Sequence, residues 1–271
     1  PLARATFLIE DFLPERIDFD LAVEGDAPLR PGDVAELGIA ARYLFGAPAA
    51  GLEIEGEVVI RARDGLEGFP GFRFGRHDEP FRPVMDALPW GNVTDDDGFA
   101  ALSAPLPQVA DPGRPLEAMF NVRLIEGSGR PVERSVVHPV APAAPVLGIA
   151  PAFDGTLGEG EDATFRVVLV DTQGRAVSGR VKWTVNRVET RYQWYRSFGD
   201  WMWEPVTTRT RLDGGEAAIG ADAPATIGTR VDWGRFELIV ETLEGPYSAA
   251  STGFSAGWYA SASAVDTPDM L

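Results

Sequence analysis

Two stretches of the chain decide the fold: GDVAELGIAARYLFGAPAAG at residues 32–51 and GEDATFRVVLVDTQGRAVSG at residues 160–179. They align without a gap, and their first, middle and last glycines coincide. Apolar residues recur at every second position after the first glycine, the pattern of a half-buried β-strand. The matched residues are Leu37, Ile39 and Ala41 in the first stretch, and Phe165, Val167 and Leu169 in the second. The chain is therefore predicted to contain the same long strand and hairpin twice.

A second set of matches extends the repeat. Asp97-Gly98 corresponds to Asp213-Gly214, and Phe120 corresponds to Phe236. Both pairs have the same sequence separation, which is shorter than the separation between the two stretches quoted above. Two offsets separated by a single length change are typical of two copies of a domain that carry insertions of different size. Residues 94–98 and 212–215 are both predicted to be acidic turns that lead into alanine-rich strands.

Strand-like segments interrupted by glycine and proline dominate the rest of the chain. Alternating or β-branched residues predict strands at 16–23, 164–170, 180–185 and 236–241, and no stretch has the apolar spacing of an amphipathic helix. The prediction is an all-β protein of two tandem antiparallel β-sandwiches, of the immunoglobulin or fibronectin III type. The proline-rich segment 139–145 is the predicted connector, which gives domains at residues 1–140 and 141–271.

Composition excludes several classes of function. The 271 residues include no cysteine and one lysine, Lys182, and carry a formal net charge of −17. Without cysteine there is no disulfide, thiolate nucleophile or zinc–cysteine site. The acidic charge disfavours nucleic acid and anionic membrane surfaces, which are bound through clustered lysine and arginine. No apolar run is long enough for a membrane helix, and the start lacks the layout of a signal peptide, so we expect a piece of a longer protein without direct membrane insertion.

No catalytic, cofactor-binding or metal-binding residue is predicted, and the chain is expected not to be an enzyme. His77 and His138 lie in different copies and match no catalytic or metal motif, so they are interpreted as exposed loop histidines. Ser135 lies near His138 in sequence, but no orienting third residue can be placed. Residues 94–98 are oxygen-rich without the spacing of an EF-hand; an acidic turn is favoured, and calcium binding stays open.

Two aromatic segments are candidates for contacts with a neighbouring domain or a partner. Residues 191–203 predict a hairpin with Tyr192 and Trp194 on one face of its first strand and with Trp201 and Trp203 on one face of its second. The first copy carries an aromatic insertion near 67–92, in which Phe72 and Phe74 are candidate contact residues. Each segment either packs on its own or a neighbouring domain, or presents a docking face.

The motif at Arg42–Gly51, with tyrosine, leucine, phenylalanine, glycine and proline in order, resembles the hairpin of macroglobulin domains in the bacterial α2-macroglobulin family. Residues 10–17, 94–98, 106–107 and 233–236 are similar to other parts of these domains, and 266–269 is similar to the entry into a following domain. The second copy departs from the motif, with Asp171 in place of the tyrosine and Ala176 in place of the proline.

The resemblance implies two consecutive macroglobulin-type domains from the scaffold of a periplasmic, broad-spectrum protease inhibitor, whose parent could be a membrane-anchored lipoprotein. In that family a protease cuts a bait segment, and an internal thioester of cysteine and glutamine captures it. Both regions would lie outside these residues. The implied partners are neighbouring domains of the same polypeptide and the trapped proteases. The alternative is a tandem sandwich of an adhesin or carbohydrate-binding surface protein that uses the aromatic hairpin as a platform.

Overall fold

The computed structural model describes residues 15–63, 65–127, 130–197 and 200–257, with the side chains of 197 and 200–202 excepted. The described chain forms two compact units of antiparallel β-sheet. Unit 1 comprises Pro1–Arg61, Pro83–Val109 and Glu117–Val140, and unit 2 comprises Ala62–Arg82, Ala110–Leu116 and Ala141–Leu271. None of the described residues forms a helix long and apolar enough to cross a membrane. The all-β prediction is confirmed.

Unit 1 is a sandwich of two sheets. One sheet has the order β1-β2-β7, and the other has the order β5-β3-β8-β9, with β6 also paired to β3. Its inward-facing apolar side chains alternate with exposed ones, as in β8, where Leu116, Ala118, Phe120, Val122 and Leu124 are buried. The strands are β1 Ile17–Val23, β2 Val34–Tyr43, β3 Glu53–Ala62, β5 Val84–Ala87, β6 Asn92–Val93, β7 Phe99–Pro105, β8 Leu116–Ile125 and β9 Val132–Val140.

Unit 2 is a second sandwich, with sheets of order β14-β11-β10-β4 and β13-β12-β15-β16. Its core is centred on Phe165, which makes edge contacts with Phe153 and Phe254 at centroid distances of 5.3 and 5.0 Å. The strands are β4 Arg73–Phe74, β10 Val146–Pro151, β11 Asp162–Val170, β12 Gly179–Ser197, β13 Asp200–Ile219, β14 Ala225–Arg230, β15 Gly234–Thr242 and β16 Ala249–Ala256.

The sequence repeat is reproduced in the hydrogen bonding of the two sandwiches. After β2, the amide of Gly46 donates to the carbonyl of Tyr43, and after β11 the amide of Gly174 donates to that of Asp171, at 2.8 and 3.0 Å. Both glycines have positive φ, which the turn requires and which L-residues rarely adopt. A parallel bridge joins Leu29 to Val140, and the corresponding bridge joins Leu157 to Ala256. The repeat found in the sequence therefore corresponds to a structural repeat of the two sandwiches.

One predicted turn is present and the other is absent. Residues 94–98 form the acidic turn, in which Asp95 Oδ1 accepts the amides of Asp97 and Phe99 at 3.0 and 2.8 Å. The prediction of a turn at 212–215 is wrong, because these residues lie inside β13, next to a shift in register opposite Val185 and Asn186. Leu212 is the extra residue of a β-bulge there, so the chain continues into a much longer hairpin.

Candidate functional site

A long β-ribbon extends from unit 2. Strand β12 pairs with β15 only over Val181–Arg187, whereas its pairing with β13 continues to Ser197 and Asp200. We call Val188–Ser197 with Asp200–Arg209 the ribbon. Strands β12 and β13 pair as in the predicted hairpin, and they are longer than the sequence indicated; the predicted turn lies outside the described residues.

Aromatic residues cross the ribbon on one face. Trp194 lies opposite Trp203, and Tyr192 lies opposite Pro205, so all four residues share a face. The rings of Tyr192 and Trp203 meet edge to face at 5.1 Å and 77°. Trp201 occupies a position on the same face, but its side chain lies outside the described part. The described rings of Tyr192 and Trp203 therefore form a packed pair.

The ribbon is exposed on both faces within unit 2. Trp194 is 49% exposed and Trp203 is 44% exposed, and Tyr195 and Val206 on the opposite face are also exposed. A two-stranded ribbon is marginally stable alone in water, and apolar surface left in water loses the free energy that burial would provide. Exposed apolar clusters of this kind are typical of surfaces that bind another protein segment.

The second aromatic segment packs within unit 2, although it comes from the first copy in sequence. We call Ala62–Arg82 the strap; it leaves β3 and returns to β5 of unit 1. Within unit 2, strap strand β4 pairs with β10, Gly148 opposite Phe74 and Ile149 opposite Arg73. Phe72 and Phe74 are 6% and 7% exposed and pack with Val146, Ala150, Val168 and Val170. These two predicted contact residues are buried core residues of unit 2, because the strap completes its sheet.

Polar groups at the end of the strap hold it to β13, β15 and β16. The backbone amide of His77 donates to Ser251 Oγ at 3.1 Å, and its Nδ1 lies 2.7 Å from the same oxygen. Asp78 accepts Arg76 Nη2 at 2.8 Å and faces Arg209 Nη2 at 3.7 Å. Burial raises the pKa of Asp78, but the hydrogen bonds and charge of Arg76 outweigh it and leave that pKa below its ordinary value.

A buried carboxylate lies next to this cluster. Glu237 on β15 is 1% exposed. Its Oε2 accepts Arg209 Nε at 2.9 Å, its Oε1 lies 3.7 Å from His77 Nε2, and Oε1 has no hydrogen-bond partner in the described structure. A cavity of about 290 Å³ opens beside it, lined by His77, Val188, Arg209, Arg235, Phe236, Glu237, Gly253, Phe254 and Ser255. Sequence reasoning missed this cluster, because Glu237 lies between the core residues Phe236 and Leu238 in an alternating strand and is therefore expected on an exposed face.

The cluster is not assigned as a metal site. Donor atoms of His77, Asp78 and Glu237 lie within 4.8 Å of one another, close enough to share a cation. Both carboxylates, however, already accept hydrogen bonds from guanidinium groups of Arg76 and Arg209. These two positive charges repel a cation at the same oxygens.

The other sequence candidates are dispersed. His138 is 8% exposed in β9, and its Nε2 lies 2.9 Å from the carbonyl oxygen of Ala27, so the prediction of an exposed loop position is wrong for this histidine. Ser135 is exposed, and its hydroxyl donates to Asn121 Oδ1 at 2.7 Å. Three residues apart in one strand, Ser135 and His138 occupy opposite faces and do not form a catalytic pair.

The two sandwiches with duplicated hairpins define a tandem macroglobulin-type protein, and comparison with known proteins agrees. Residues 15–142 match the family described as Bacterial Alpha-2-macroglobulin MG5 domain, and residues 148–258 match Bacterial macroglobulin domain 6. The chain belongs to the bacterial α2-macroglobulin family.

Relatives of known sequence and structure extend beyond the chain. Alpha-2-macroglobulin of Escherichia coli K12 is 30% identical over 93% of this chain, which spans 16% of that protein. Salmonella alpha-2-macroglobulin reacted with methylamine superposes with a TM-score of 0.73 and 27% identity over 92% of this chain and 17% of that one. Escherichia coli alpha-2-macroglobulin activated by porcine elastase superposes with a TM-score of 0.70 and 29% identity, over 93% of this chain and 22% of that one.

Proposed function

We propose that this chain is a non-catalytic scaffold segment of a broad-spectrum protease trap, whose bait and thioester regions lie elsewhere in the parent polypeptide. The observation that carries the proposal is the match of consecutive halves of the chain to two bacterial macroglobulin domains, within relatives of which the chain spans only 16%. The segment has no cysteine, so it cannot supply the thiol of a thioester. Its role is to hold other domains in position and to transmit their rearrangement after bait cleavage.

The two sandwiches suit this role physically. Each encloses a close-packed apolar core, and such cores move as rigid bodies while exposed connections absorb rearrangement. The proposed location is the periplasm, with the parent anchored to a membrane as a lipoprotein. The proposed partners are neighbouring domains and the proteases that the parent traps.

The test uses the full-length parent protein and porcine elastase, the protease that activates the Escherichia coli relative. After mixing, a trapped elastase should keep its activity on a small peptide substrate and lose most of its activity on a large protein substrate, because only the small substrate can reach a caged active site. Equal activity on both substrates, or a parent reading frame without a cysteine-containing thioester segment, would contradict the proposal. Binding of glycans in that case would favour the adhesin alternative.

We further propose that the ribbon contacts another domain of the parent polypeptide. Support comes from the exposure of Trp194 and Trp203 and from the absence of a described sheet partner beyond Arg187 on β12. Burial of an aromatic side chain contributes about 1.5–3 kcal/mol, enough to hold a two-stranded element in one place.

The ribbon proposal is tested by the double variant Tyr192→Ala/Trp203→Ala in the full-length parent. The matched control is Trp90→Ala, which removes a 94%-exposed tryptophan from unit 1. The double variant should keep the thermal stability of the isolated 271-residue chain and lower the thermal stability of the parent. It should also lower the fraction of elastase trapped. If the double variant and the control trap the same fraction of elastase, the ribbon has no role in trapping. That result leaves the protease-trap proposal itself unaffected.

A further inference from the structure

Strand β12 has an open edge along the ribbon. Its ladder with β15 ends at Arg187 and Phe236, and none of the described residues pairs with β12 on that side beyond Arg187. The chain ahead of β15 turns away, because the backbone of Val231 is hydrogen-bonded to Gly160 and Glu161 before β11. Strand β15 therefore covers only the first part of this side of β12. We call the same side of Val188–Trp194 the open edge.

Backbone groups of alternate residues face the open edge. The Arg180 carbonyl accepts the Leu243 amide, so the even-numbered residues of β12 direct their backbone groups toward β15. The extra residue of the bulge lies in β13, so this alternation continues without a break to Tyr192 and Trp194. Pro205 opposite Tyr192 agrees with it, since a residue without an N–H cannot form both bonds of a hydrogen-bonded pair. The amides and carbonyls of Tyr192 and Trp194 thus face the open edge and not β13.

The two edges of the ribbon differ in their protection against strand addition. Strand β13 carries Pro205 on its outer edge, and proline at such a position blocks further pairing. The open edge of β12 contains no proline, glycine or lysine. A ribbon of two strands is marginally stable in water, and a third strand is the usual way to stabilise it. Addition of a strand at the open edge would therefore pair its backbone groups and stabilise the ribbon.

Strand β16 brings the chain to the start of the open edge. It is antiparallel to β15, which is antiparallel to β12, so β16 runs in the direction of β12. Its last residue, Ala256, lies opposite Gly234 at the start of β15. A Cβ built on Gly257 would lie 2.8 Å from Trp233 Cβ, and the Trp233 carbonyl accepts Arg187 Nη2 at 2.6 Å. The described chain therefore ends next to the place where the β12–β15 ladder stops.

The sequence after Gly257 has the composition of a strand that pairs through its backbone. Residues 258–265 read WYASASAV and contain no charge, glycine or proline. Apolar and polar residues alternate from Ala260 to Ala264, with the period of a strand. The alanine and serine side chains are small, so they suit a strand that lies next to bulky aromatic residues.

The crossing from β16 to the open edge is short. Strands β12 and β16 are two strand spacings apart, about 10 Å, which about three extended residues can span. Residues 258–260 therefore suffice for the crossing, and too few residues remain for a reversal of direction. We propose that residues 261–265 add to the open edge as a third strand, parallel to β12, beside Tyr192 and Trp194. This pairing uses the backbone edge, leaves the aromatic face available to another domain, and fixes the direction in which the chain leaves unit 2.

The experiment is backbone NMR of the 271-residue chain. Nuclear Overhauser contacts are expected between backbone protons of Trp194 and residues 261–265. The amides of Tyr192 and Trp194 should also be protected from hydrogen exchange. In a chain that ends at Gly257, the protection factors of these two amides should fall at least about tenfold, because they then face water.

Two controls make the result specific to the proposed strand. A chain that ends at Val265 keeps this strand and should retain the protection of Tyr192 and Trp194. The amides of Arg191 and Gln193 face β13 and should stay protected in all three chains, which shows that the ribbon itself is folded. If they lose protection in the chain that ends at Gly257, the Overhauser contacts of the 271-residue chain decide.

Several outcomes overturn the proposal. They include the absence of the Overhauser contacts, and equal protection of Trp194 in the chains that end at Gly257 and Val265. Protection that disappears on dilution assigns the open edge to a second copy of the chain. Protection that appears only in the full-length parent assigns it to another domain. None of these outcomes bears on the trapping of elastase by the parent, because both partners of the proposed pairing lie within this chain.

Discussion

The contact between Gly148 and Phe74 gives a quantitative test of the strap. A Cβ built on Gly148 would lie 2.7 Å from Phe74 Cε1, and its three nearest atoms all belong to that ring. Gly148 lies within β10 without positive φ, so alanine suits its backbone. Gly148→Ala should therefore destabilise unit 2 by about 1–3 kcal/mol through overpacking alone.

Removal of the ring should reverse the sign of that effect. Phe74→Ala should itself cost about 3–5 kcal/mol, since the side chain is 7% exposed. In that background the added methyl group meets no ring, and Gly→Ala within a strand should stabilise by about 0.5–1 kcal/mol. The two substitutions should thus be coupled by about 1–3 kcal/mol, the overpacking cost that is removed with the ring, because the strand preference of alanine is present in both backgrounds and cancels.

The free energies of unfolding for the double-mutant cycle are measured in urea, with hydrogen exchange of the β11 amides as the signal, because β11 pairs with β10. Gly228→Ala is the matched control, because its Cβ would meet Thr164 Oγ1 at an ordinary 3.7 Å. The control should be neutral or stabilising in both backgrounds. An equal cost of Gly148→Ala with and without the Phe74 ring would refute the assigned packing of the strap.

Two further substitutions test hydrogen bonds of buried or partly buried groups. Thr94→Val should destabilise unit 1 by about 1–3 kcal/mol in thermal unfolding while Thr94→Ser changes little, because Thr94 Oγ1 donates to the Ala49 carbonyl and accepts the Leu52 amide. The Thr229 hydroxyl and the Gly214 amide donate hydrogen bonds to Asp213 and lower the pKa of its carboxyl group. The ionised carboxylate therefore stabilises the folded state above the ordinary aspartate pKa range, and this stabilisation is lost as the pH falls. In Asp213→Asn, the stability measured by unfolding should fall less steeply as the pH is lowered through the acidic range. An unchanged pH dependence of stability would contradict this.

The sequence was informative where local chemistry decides structure. Alternating apolar residues and turn glycines predicted β2, β11 and their hairpins, because side-chain period and positive φ are properties of a few adjacent residues. The same reasoning placed Tyr192 and Trp194 on one face of a strand. It therefore predicted the aromatic face of the ribbon, but not where the ribbon leaves the sheet.

The failures come from contacts between distant parts of the chain. Leu212–Gly215 has the composition of a turn, but pairing with β12 keeps it extended through a bulge. Phe72 and Phe74 were assigned to the first copy by position, and their burial depends on β10 and β11, which lie far along the sequence. Glu237 follows a core phenylalanine, and its carboxylate lies against Arg209 of β13 and His77 of the strap, both distant in sequence.

The strap also determines what an independently expressed second domain would contain. A polypeptide cut at the connector near residue 141 would retain β10 and lack β4, leaving the Val146 and Val168 side chains uncovered and one edge of the sheet unpaired. Such a fragment would resemble a sandwich that awaits a donated strand, as in strand complementation between separate proteins. A peptide spanning residues 62–82 could then restore it in trans. The second sandwich is therefore completed by residues that lie within the first repeat of the sequence.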